Sequence, residues 1–164
     1  MIVTFYFTLS WMMTGFLTFN RKESRGSREE ILFLVLLTCL INTHTYLGLF
    51  ETFKWIKTAT TPKLYLAFLL FRSAFIPVFV SYLTLHIVNN TWKKQILLFL
   101  LYLLVIIGTD KINVYSDLYT FKHWNHMSTI IYYLLYLALV VIAFKWFQGL
   151  KIPEVKNANE VGRK

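Results

Sequence analysis

The stretch LYLAFLLFRSAFIPVFVSYLTLHIV, residues 64–88, decides the fold. As a helix it reaches roughly 37 Å at about 1.5 Å per residue, enough to cross a hydrocarbon core of about 30 Å. It carries one charge, Arg72, which costs roughly 2.5–3.5 kcal/mol at the centre of a bilayer unless it finds a partner or water. Pro77 removes a backbone donor and crowds the carbonyl one turn back, so a kink is predicted near Ser73. Ser73, Pro77 and Ser81 recur every four residues, a narrow stripe suited to a close neighbouring helix.

The composition around this stretch agrees with a membrane protein. Hydrophobic residues make up 57% of the chain and charged residues 15%, against about 45–50% and 25% in soluble domains. Four more apolar runs flank it. The sequence therefore predicts an all-α integral membrane helical bundle of five transmembrane helices at about residues 1–19, 31–50, 64–88, 92–112 and 129–147. One domain, 1–148, is expected, followed by a basic cytoplasmic tail, 149–164. The fourth run has an apolar centre of only 96–108; it spans if extended from Trp92, with Lys93, Lys94, Asp110 and Lys111 snorkelling at its ends, and is otherwise re-entrant. Gly149 and Pro153 are expected to stop the fifth helix. The connector 109–128, rich in Tyr, Trp and His, is expected to lie in the interface, with a short helix as one form. The connector 51–63, with Phe53 and Trp55, is placed there too. No internal repeat supports an inverted-repeat transporter.

Orientation follows from the basic residues. With the N-terminus outside, the outer connectors carry Lys54, Lys57, Lys63, Lys111 and Lys122. Apart from Arg72, every other Lys and Arg falls inside, as cytoplasmic loops require. The first run lacks a preceding positive charge and a small-residue cleavage site, so it reads as a retained helix rather than a signal peptide. The C-terminus is then cytoplasmic. The net charge of +9 suits anionic lipids on that face; no basic-aromatic patch has the length of a nucleic-acid groove. Cys39 is the single cysteine, which excludes an intrachain disulfide and a cysteine-rich zinc site.

In this orientation Arg72 has outer-side acids as counter-ions, Glu51 foremost, then Asp110 and Asp117. Helix two turns polar at Asn42, Thr43, His44 and Thr45, and His44, Gly48 and Glu51 share one stripe. An outer-leaflet cluster of Asn42, His44, Glu51 and Arg72 is expected, capped by the connector that begins at Asp110. Its two readings are interhelical glue and a ligand, ion or proton site. His86 lies too far in depth from His44 to share a haem. His123 and His126, with Asp117, fall short of a zinc ligand set. No nucleophile elbow, zincin motif or phosphate-binding glycine loop occurs, so no catalytic residue, cofactor or metal is assigned.

The connector with SREEILFL opening helix two, and the segment DLYTFKHWNHMSTIIYYLLYLALVVIAFKWF, resemble a family of small uncharacterised five-helix membrane proteins of spore-forming Gram-positive bacteria. The resemblance covers about residues 21–147 and implies location and topology alone. The sequence's leading functional reading is a non-enzymatic multi-pass protein of the cell membrane that acts through a membrane partner, a homo-oligomer or the bilayer itself. The alternative is a small transporter, channel or ligand sensor that uses the cluster around Arg72.

Overall fold

A computed structural model describes the backbone of residues 2–19 and 27–161, and the side chains among them except 13, 14, 16–19 and those beyond 150. Residues 20–26 of the connector that the sequence places at 20–30, and the side chains of the basic tail, fall outside the described residues, while α2 already begins at Arg28. The helices are α1 (Ile2–Phe19), α2 (Arg28–Tyr46), α3 (Pro62–Leu70), α4 (Ile76–Asn89), α5 (Trp92–Tyr115) and α6 (His126–Val161). Two wide π-helical turns, π1 (Leu47–Thr52) and π2 (Phe71–Phe75), continue α2 and join α3 to α4. The fold is all-α, and four segments are long and apolar enough to cross a membrane: Arg28–Thr52, Pro62–Asn89, Trp92–Tyr115 and His126–Leu150. α1 adds a further apolar helix.

Local signals set the helix ends. Ser27 caps α2 with a reciprocal capping box: its hydroxyl accepts from the Glu30 amide, and the Glu30 carboxylate accepts from the Ser27 amide at 2.7 Å. This pairing satisfies two of the free donors at a helix start. Asn125 caps α6 one way, accepting from the Ser128 amide at 2.7 Å. α5 runs unbroken for 24 residues, long and apolar enough to cross a membrane. It ends in a Schellman motif: Leu118 N–H donates to Asn113 O at 2.9 Å and Asp117 N–H to Val114 O at 3.1 Å, with Asp117 in the left-handed region at φ 54°. α6 continues to Val161, past Gly149 and Pro153 where a stop is predicted; a proline removes only one backbone donor, and the Glu, Lys and Ala around it are good helix formers.

The third span, α3–π2–α4, is the centre of the bundle. Half of its apolar window is buried, against 17–28% for the other three spans, so the helix that carries the charge is also the one that the others surround. α1 packs along α3, π2 and α4; α2 and α6 pack on α4 and on each other; α5 closes against α4 and α6. Phe71, Phe75 and Phe79 stack down the third span at centroid spacings of 5.8 and 5.5 Å, and Tyr102 of α5 continues the row at 5.9 Å. Thr38, buried on α2, lies 3.2 Å from Ser81 Oγ, and Tyr136 of α6 donates to Thr38 O at 2.9 Å. Pro77 and Ser81 of the small-residue stripe thus accept the close neighbour that their spacing predicts, whereas Ser73 is exposed. Leu32, Leu36 and Leu40 on α2, and Ile131, Leu135 and Ile142 on α6, remain exposed, as helix faces toward lipid are.

One element is absent from the sequence reading. The two connectors at one end of the bundle pair as an antiparallel ribbon, β1 (Ile56–Thr58) with β2 (Tyr119–Phe121), in the register Ile56↔Phe121, Lys57↔Thr120 and Thr58↔Tyr119. Connector 109–128 is therefore a helix end, a strand and a turn, not a helix lying on the membrane. The strands are too short for an alternating pattern to register.

Candidate functional site

Beneath the ribbon lies a cavity of about 60 Å³. The geometry around it starts with Pro77. A proline has no N–H for the carbonyl four residues back, and its ring crowds that carbonyl. The chain answers with π2, in which Ile76 N–H bonds Phe71 O instead of Arg72 O. In this wider register Arg72 O should receive the amide of residue 77, which proline lacks. Asn42, buried on α2, supplies the missing donor: its Nδ2 donates to Arg72 O. Inserted π turns recur at functional sites because they re-aim a side chain within an otherwise regular helix.

The Arg72 guanidinium lies over the Tyr46 ring at 3.8 Å from its centroid. Tyr46 stands one turn after Asn42, on the same face of α2. Its hydroxyl donates to Glu51 Oε1 at 2.8 Å. No ion pair joins Arg72 to a carboxylate among the described residues. The Nε of Arg72 is buried with no hydrogen-bond partner. The hydroxyl of Tyr132, also on the cavity wall, is buried without a partner in hydrogen-bond geometry, although it lies beside the Thr45 side chain. Phe50, Phe68 and Tyr119 contribute aromatic walls, and Phe121 and Trp124 roof the space from the ribbon end.

The structure brings together only part of the predicted cluster. Asn42 and Arg72 meet, through the Arg72 backbone. Glu51 does not pair directly with Arg72; it is exposed, and Tyr46 stands between the two groups. His44 is exposed and outside the site, because two residues turn a helix by about 200° and carry it to the face opposite Asn42.

Asp110 is withdrawn into a separate, buried constellation. It accepts from Tyr119 Oη at 2.6 Å and contacts His126 Nδ1 at 2.5 Å. It is 4% exposed rather than snorkelling, because β2 folds Tyr119 back onto the helix that it leaves. Burial and the neighbouring Asp110 push the Tyr119 phenol well above its usual range, so it stays protonated and donates. Nearby, Tyr6 of α1 donates to Asn113 Oδ1, which pins the first helix to α5. Asp117 and His123 are exposed, and no group of three or more metal-ligating side chains occurs among the described residues.

Sequence reasoning missed Tyr46 and Tyr132, and it placed the connector from Asp110 over the cluster without singling out Phe121 and Trp124. Tyr46 was detectable from its i, i+4 relation to Asn42. Tyr132 had no signal, because it reaches the cavity from a helix far along the chain. The chain matches no family model, no curated protein and no solved structure.

Proposed function

We propose that this chain is a non-enzymatic, multi-pass protein of the cell membrane that holds a small ligand in the cavity at Arg72, in the manner of a ligand sensor. The ribbon end faces outward, as the Lys and Arg bias requires, and the chain crosses five times, with α1 outside-to-inside. One observation carries the reading. Arg72 is charged, its Nε is buried and unsatisfied, and no carboxylate of the described residues pairs with it beside the cavity. The Tyr46 ring meets the charge on one face, but a residue serving as glue alone would pair with a carboxylate, since an uncompensated buried charge destabilises the fold by several kcal/mol. Here the protein satisfies the Arg72 backbone through Asn42 and leaves the side chain's Nε–H unused.

The test is purification of the full chain from its native membrane in mild detergent, followed by mass spectrometry of what accompanies it. A small molecule retained by the wild type and lost from a folded R72L protein is expected. A stoichiometric partner protein with an equally retained, or absent, small molecule in both would favour an accessory role and overturn the ligand reading.

A further inference from the structure

We infer that the cavity selects a small organic oxyanion, with one carboxylate on the Arg72 edge and a short apolar or aromatic body between the rings. The inference rests on the ligand-binding reading and assigns the ligand's chemistry. Among the described residues Arg72 is the only charged one on the cavity wall, so a single negative charge neutralises the site and a cation is repelled from it. Arg72 keeps a donor, Nε–H, without a partner, and Tyr132, beside Thr45, adds a hydroxyl to the same wall, so the complementary group must be rich in acceptors.

The stacking on Tyr46 adds geometry. A guanidinium laid over a ring directs its N–H groups in its own plane, away from the ring face. Its planar fork of N–H groups suits two-point recognition of a carboxylate or phosphate. The rest of the lining is mainly aromatic, including Phe50, Phe68, Phe71 and Tyr119, which suits an uncharged hydrocarbon or ring.

Size and depth narrow the source. About 10–15 Å³ by the same measure admits one water, so 60 Å³ takes about four to six non-hydrogen atoms, the carboxylate and first carbons of an acid whose remainder leaves through the cavity's open side. Arg72 follows Leu64 by eight residues, roughly 12 Å along the helix. A phospholipid phosphate stays near the interface, whereas a free acid can descend to that depth. The shared chemistry is the oxyanion, and depth favours the free acid as its source.

The test uses the full-length protein in nanodiscs of phosphatidylcholine. Melting temperature and tryptophan fluorescence are followed against octanoate, benzoate, octanol and benzylamine, and separately in discs containing phosphatidylglycerol. Octanoate or benzoate is expected to raise the melting temperature saturably. Octanol and benzylamine should need at least tenfold higher concentrations. R72K, which keeps the charge but loses the planar edge, should bind the acids about tenfold more weakly while melting as a folded protein; Y132F provides a milder second variant if R72K does not fold. Stabilisation by phosphatidylglycerol alone, lost in the variants, supports the oxyanion chemistry with lipid as its source. Equal response to octanol or benzylamine overturns the ligand class while leaving a binding cavity. No response to any probe or lipid overturns both.

Discussion

Replacing Asn42 by alanine removes the side-chain donor that satisfies Arg72 O. The carbonyl then has no evident substitute, because Ile76 N–H is committed to Phe71 O and residue 77 is a proline. An unsatisfied buried polar group costs about 1–3 kcal/mol, and measured interhelical hydrogen bonds in membranes reach at most about 1.7. A loss of about 1–2 kcal/mol is therefore expected for N42A. The partner variant is P77A, which restores an N–H five residues after Arg72, in the register that π2 already uses. In a P77A background the N42A cost should fall below about 0.5 kcal/mol, a coupling of roughly 1 kcal/mol in a double-mutant cycle. Reversible unfolding of the four proteins in one detergent, with circular dichroism as readout, gives all four free energies. Equal N42A costs in both backgrounds would refute the reasoning, since Asn42 would then stabilise the bundle through something other than the carbonyl that Pro77 leaves free.

Other expectations follow from the same geometry. Y119F should loosen the ribbon by about 1–2 kcal/mol, because the buried Asp110 loses a charge-assisted hydrogen bond; faster amide exchange confined to Ile56–Thr58 and Tyr119–Phe121 checks this. Tyr119 itself should ionise well above its usual value near pH 10. Its folded pKa is raised above the unfolded one, so the stability linked to it is complete below about pH 10 and is lost as pH climbs through the folded value; phenolate absorbance on alkaline titration should lag in the folded protein. D117G should raise stability by about 1 kcal/mol, because Asp117 holds the left-handed position of the Schellman motif; a higher unfolding midpoint is the readout.

Much of this architecture is legible in the sequence, for a simple reason. Apolar runs near 20 residues act over whole segments, so an all-α fold with several span-length helices and the central place of residues 64–88 emerge from composition and length. Pro77 likewise announces a break near Ser73, because its chemistry is local. The Thr38–Ser81 contact is foreshadowed by the four-residue stripe. The site is only half legible. Asn42 and Arg72 are polar residues at like depth on sequential helices, and they meet. Glu51 and Asp110 were assigned by charge and depth, but each is claimed by a tyrosine hydroxyl, Tyr46 and Tyr119. In a chain this rich in aromatics, neutral phenols compete with arginine for carboxylates, as they do at Glu51 and Asp110. The ribbon was invisible because three-residue strands carry no period, although the connector that forms β2 was placed over the cluster.

The most direct measurement reads the atom on which the ligand proposal depends. In protein carrying ¹⁵N-arginine, with Arg72 assigned by comparison with R72K, the Nε–H resonance should appear in the ligand-free state at the position of an unpaired guanidinium. Titration with octanoate or benzoate should move it downfield to the position of a carboxylate-bound guanidinium and slow its exchange with water. A resonance already in the hydrogen-bonded position before any ligand is added, or one unmoved by an acid that stabilises the protein, would contradict a free Arg72 edge waiting for an anion.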